Sequence, residues 1–131
     1  MINLDEYKTL VSDLLDELPQ EFFRELSGGV IVSEAAVIPD YAQERQDLYT
    51  LGLYRVFSPG VRQIILYKGS FDRTYPFAGP EEARELLRGV LRHEFRHHLE
   101  FLAGIHDSTS LEAADERKKR EYLARRAKDQ H

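Results

Sequence analysis

Among the residues of this chain, His93, Glu94 and His97 carry the clearest chemical potential. They stand in the stretch Leu91-Arg92-His93-Glu94-Phe95-Arg96-His97-His98, which contains the pattern H-E-x-x-H. On an α-helix, residues four apart share a face. His93 and His97 can therefore offer two imidazoles to one metal ion, each nitrogen about 2.0–2.1 Å away if that ion is Zn2+. Glu94 follows at about 100° of helical rotation from the first histidine. Its longer arm can reach a water at the metal from the side, which is where a general base belongs.

The surrounding helix gives the pattern weight. Leu86, Leu87, Val90, Leu91, Phe95, Leu99, Phe101 and Leu102 share one broad face, and Glu85, Arg92, Arg96 and Glu100 the opposite one. His93 falls at the border of the apolar arc, while Glu94 and His97 fall inside it. Two imidazoles and a carboxylate on a burying face need a compensating partner. A metal supplies one; a polar cluster satisfied by hydrogen bonds is the plainer alternative.

A catalytic zinc takes three protein ligands and keeps one position for water. The chain has no cysteine, so the donors must be His, Asp or Glu. After the helix come Ala103-Gly104-Ile105-His106-Asp107. Gly104 lets the backbone turn back, which makes His106 and Asp107 candidates. Glu112 and Glu116 are a further pair of alternatives. His98, five residues from His93, points away from the metal and reads as a core histidine bonded to backbone. Tyr54 reads as a packing residue, with stabilisation of an oxyanion as its functional alternative.

The elements that must position these groups are legible from periodicity. Leu4, Tyr7, Leu10, Val11, Leu14, Leu15 and Leu18 recur at three and four, predicting a helix capped by Asn3 and closed by Pro19. A second short helix is expected through Phe22, Phe23 and Leu26, stopped by Gly28-Gly29. Val30-Ile31-Val32 reads as a buried strand and residues 35–47 as a surface loop. Leu48–Phe57 and Gln63–Tyr67 have strand chemistry around the Ser58-Pro59-Gly60 turn and predict an antiparallel hairpin. Gly52 marks a bulge or a close backbone approach. Lys68-Gly69 is expected to end the second strand, and Tyr75-Pro76 and Gly79-Pro80 to punctuate a loop. A long helix starts near Pro80 and ends near Ala103; a last one spans Leu111 to about Lys128. The expected fold is α+β, helices packed on a small, mostly antiparallel sheet, in one domain over 1–131.

Bulk properties limit the partners. A net charge of −5 disfavours nucleic acid and anionic membranes. The run Arg117-Lys118-Lys119-Arg120, with Arg125-Arg126, reads as a solvated helical face near a C-terminus, where cations suit the helix dipole. No apolar stretch approaches the roughly 18 residues of a membrane span, and no leader pattern opens the chain; the expected setting is the cytoplasm. Either hairpin strand, at a sheet edge, could pair with an extended peptide.

Taken together, these segments resemble the short single-domain zincin-like metallopeptidases of bacteria. The likeness runs through Glu17-Leu18-Pro19, Val30-Ile31-Val32, Leu51-Gly52-Leu53-Tyr54, Ile64-Ile65-Leu66-Tyr67-Lys68-Gly69 and the His93-Glu94-x-x-His97-His98 helix. The resemblance implies a minimal zincin-like fold, Zn2+ as cofactor and a peptide or protein substrate. It also implies Asp107 as third ligand, because the family pattern closes with a glycine followed shortly by an aspartate. The chain departs from that pattern in two ways: Leu99 to Ala103 add about one helical turn before Gly104, and Arg96 is charged where the family usually is not. The competing expectation is a zincin-shaped metal-binding or interaction module without efficient proteolysis.

Overall fold

Asn3 opens the first helix by a reciprocal cap: its side chain accepts from the Glu6 backbone at 2.8 Å, and the Glu6 carboxylate accepts from the Asn3 backbone at 3.1 Å. Helix α1 (Leu4–Asp16) follows, burying Tyr7, Val11 and Leu14 as the periodicity requires. In the computed structural model, which describes residues 1–39 and 48–104, a 3-10 turn (Gln20–Phe23) comes next. Three strands then form one sheet: β1 (Gly29–Ser33), β2 (Gly52–Phe57) and β3 (Val61–Tyr67). Helix α2 (Lys68–Thr74) and the long helix α3 (Pro80–Leu102) complete the described chain. The fold is α+β.

The strand order is β1-β3-β2. The expected hairpin is present: β2 runs antiparallel to β3, with Tyr54 opposite Ile64 and Leu53 opposite Ile65. The other pairing makes the sheet mixed: β1 runs parallel to β3, with Val30 opposite Ile64. Parallel neighbours need a long crossover. Here the chain between Ser33 and Gly52 carries β2 to the far side of β3, leaving β1 and β3 side by side and co-directional.

Lys68-Gly69 end β3 as expected, and they do so by beginning α2 directly, a helix that the sequence reading did not include. Gly69 is there for space: a Cβ on it would stand 2.5 Å from the Glu34 carbonyl oxygen. The Ser70 hydroxyl accepts from the Val37 backbone at 2.8 Å, tying the segment after β1 to this helix.

Tyr7, Leu14, Ile64, Leu66, Phe71, Leu87, Leu91 and Phe95 form the centre of the core. Aromatic edges interlock there, Tyr7 on Phe71 at 5.7 Å and Phe23 on Phe95 at 5.4 Å between ring centres. Helix α3 begins with Pro80 at its first turn and acids Glu81 and Glu82 behind it, suiting the helix dipole. It closes at Ala103, and Gly104 takes the left-handed φ of 74° expected of it. The predicted helix 111–128 lies outside the described residues.

Candidate metal centre

All of the H-E-x-x-H pattern lies on one continuous stretch of α3. The periodicity of that helix decides which way each side chain faces. Leu87, Leu91 and Phe95 are buried in the core, while Arg96 stands 72% exposed beside Glu100. Between these faces His93 and His97 are partly buried, and Glu94 is buried at 6% exposure.

The two imidazoles are neighbours. Their ring centres are 5.3 Å apart and the rings stand nearly perpendicular, at 88°. Two imidazoles sharing one tetrahedral zinc at about 2.0–2.1 Å place their ring centres roughly 5 Å apart. The pair therefore fits a common metal ion in spacing, and imidazole suits zinc in chemistry.

Strand β2 supplies the wall on the other side. At Gly52 an added Cβ would lie 3.2 Å from Glu94 Cγ, 3.3 Å from Glu94 Oε2 and 3.0 Å from Val90 Cγ1. The close-approach reading of this glycine is thus the observed one: its missing side chain makes room for the Glu94 carboxylate between helix and strand.

His98 and Tyr54 take roles the sequence only half disclosed. His98 is fully buried, with Nδ1 2.8 Å from the Tyr54 hydroxyl and Nε2 2.8 Å from the Arg24 carbonyl. Arg62 Nη1 donates to the same hydroxyl at 3.2 Å. Guanidinium has only donors and a carbonyl only accepts, so the directions are fixed. Arg62 donates to Tyr54, Tyr54 donates to His98 Nδ1, and His98 Nε2–H donates to Arg24. Both ring nitrogens of His98 are committed, which excludes it as a metal ligand in this arrangement. Burial pushes its pKa below the ordinary imidazole range, and the Arg62 charge adds to that. Burial likewise raises the Tyr54 hydroxyl, with Arg62 working against it. The core-histidine reading of His98 is correct. The Tyr54 hydroxyl is turned to His98 and Arg62, which leaves the oxyanion alternative without geometric support. Neither Arg62 nor the Arg24 carbonyl was indicated by any pattern in the sequence.

Among the described residues no group of three or more His, Asp or Glu side chains lies close enough together to hold a metal. His106, Asp107, Glu112 and Glu116 lie outside the described residues, as does the basic run from Arg117. A groove of about 420 Å³, lined chiefly by Leu18, Phe22, Phe95 and Leu99, touches none of His93, Glu94 or His97. No helix among the described residues is long and apolar enough to cross a membrane.

No known family's sequence profile matches the chain, and no curated protein matches it. Among solved structures, a conserved hypothetical protein from T. thermophilus is similar at 31% identity and a TM-score of 0.61. The match covers 79% of this chain and the whole of that one.

Proposed function

We propose that this chain, which belongs to the same family as the conserved hypothetical protein of T. thermophilus, is a zinc-dependent metallopeptidase acting on peptide or protein substrates in the cytoplasm. The observation that carries the reading is the His93–His97 pair at 5.3 Å beside a buried Glu94. In this reading His93 and His97 hold the metal and Asp107 completes the ligand set. When bound, zinc supplies Lewis acidity that brings the pKa of a water towards about 7.

Glu94 then has two tasks. Its carboxylate takes a proton from the attacking water and hands it to the leaving amine as the peptide bond breaks. Its low exposure supports this, because a carboxylate held between α3 and Gly52 keeps its direction and excludes bulk water. The substrate main chain would lie along β2, which among the described residues is an edge of the sheet and borders Glu94.

The second reading, a metal-binding or interaction module of the same shape, differs only in the reaction. One paired experiment separates them. Zinc content and peptide cleavage are measured for the unmodified chain, Glu94→Gln, His93→Ala and His97→Ala. Peptidase chemistry requires Glu94→Gln to keep zinc and to lose about 10²–10⁴-fold in rate, while either histidine variant loses the metal. Zinc binding without cleavage by the unmodified chain selects the module. Undiminished zinc in both histidine variants removes the site. Asp107→Ala, compared with His106→Ala, tests the third ligand by the same zinc measurement.

A further inference from the structure

We infer that Tyr54 is a positioning residue for His97, held in place by a directed hydrogen-bond chain through Arg62, His98 and the Arg24 carbonyl. The inference rests on the metal-centre reading above and extends it to residues outside the H-E-x-x-H pattern.

Four observations carry it. The Tyr54 ring lies against the His97 ring, 21° from parallel with centres 6.3 Å apart, within the range of an offset aromatic pair. Tyr54 is itself held at both sides of its hydroxyl: it donates to His98 Nδ1 at 2.8 Å and accepts from Arg62 at 3.2 Å. The far end of the chain is anchored to backbone, His98 Nε2 to Arg24 O at 2.8 Å. Arg62 is fixed in turn, its guanidinium 3.2 Å from the centre of the Phe101 ring.

The chain thus joins β3, β2, α3 and the end of the 3-10 turn, with Tyr54 and His98 buried at its centre and Arg62 half-buried beside them. With His98 neutral its directions are set, because reversing any one bond would then set a donor against a donor or an acceptor against an acceptor. A buried network with every member satisfied resists rearrangement. Its output is the plane of the Tyr54 ring, and that plane faces His97. Groups that orient a metal-binding imidazole commonly change metal affinity by about 10–100-fold when removed. Tyr54 does this by its ring face, so its hydroxyl is a means of fixing the ring, not a contact to the metal or substrate.

The test uses the full chain and zinc ion alone. Zinc affinity is measured by chelator competition, and the His97 imidazole is followed by NMR in the metal-free chain. Tyr54→Phe keeps the ring and removes its tether. It should weaken zinc about tenfold and shift or broaden the His97 ring signals. His98→Gln, whose amide can accept from Tyr54 and donate to Arg24, should restore most of the affinity that His98→Ala loses. Val11→Ala, a core truncation on α1 that removes no member of the hydrogen-bond chain, controls for loss of stability alone: it should lower the melting temperature and leave zinc affinity unchanged. Tyr54→Phe with unmodified affinity and an unmoved His97 spectrum overturns the inference while the metal centre stands. Equal loss of affinity in Val11→Ala overturns it too. Failure of the unmodified chain to bind zinc overturns the metal centre and this inference together.

Discussion

At the scale of the residue, Gly52 is the position where the smallest change should separate structure from chemistry. A methyl group there meets Glu94 Cγ and Oε2 and Val90 Cγ1 at 3.0–3.3 Å, tighter than comfortable contact, so these side chains must give way. Overpacking of this kind costs about 1–3 kcal/mol. The side chain that moves is the proposed base and not a proposed ligand. Gly52→Ala should therefore retain zinc but hydrolyse peptide about tenfold more slowly, since small misplacements of a reacting group are costly. Parallel zinc and rate measurements check this; equal loss of both would mean that Gly52 serves the fold alone. The sequence placed His93 and His97 side by side on one helix, because i and i+4 spacing is a fixed geometric statement, and the structure has them so. It also disclosed that Gly52 was doing something a side chain would prevent. It did not disclose Arg62 or the Arg24 carbonyl, because a hydrogen bond across 74 positions, from Arg24 to His98, leaves no periodic trace.

At the scale of the element, α1 and α3 are joined at the surface as well as in the core. Glu17, just past α1, accepts from Arg84 at 3.0 Å and from Arg88 at 3.1 Å, and Arg88 also reaches Glu85. The two arginines hold the Glu17 carboxyl below its ordinary value of 4.5, chiefly through their hydrogen bonds. A carboxyl whose pKa is lower in the folded state contributes stability above its unfolded pKa, and that contribution is lost as pH falls through the folded one. Glu17→Gln should thus lower the melting temperature slightly at pH 7, and the difference should vanish as pH falls through the folded-state pKa of Glu17 and its carboxyl becomes neutral. The group is exposed, so the pH 7 difference should shrink in about 1 M salt. A difference that persists at low pH would point to packing in place of charge. Both helices were legible from their periodicity and caps. Helix α2 was not: Lys68-Gly69 has the composition of a turn, and only the close approach of the Glu34 and Ala35 backbones to Gly69 explains why glycine stands inside a helix. The direction of β1 was equally hidden, since an apolar run of three residues reads the same in a parallel or an antiparallel neighbour.

At the scale of the molecule, the proposed metal would act on the whole folding equilibrium. Among the described residues the two imidazoles lie on α3, and the third donor proposed for them, Asp107, follows Gly104. An ion held by both joins the helix to the chain beyond it, and only the folded chain presents that set of donors. Binding to the folded state alone stabilises it by about 2.7 kcal/mol at a free concentration 100 times Kd. For a domain of this size that is a rise of roughly 10 °C in melting temperature. The variants then sort by role. Glu94→Gln should keep the full rise, because its carboxylate is a base and not a donor to the metal. Asp107→Ala should keep part of it. His93→Ala and His97→Ala should show none, and a chelator should return the unmodified chain to its metal-free value. Melting curves at several zinc concentrations check all of these at once. A rise that is the same in every variant would mean that zinc binds elsewhere on an acidic surface, and a full rise in Asp107→Ala would pass the third position to His106, Glu112 or Glu116.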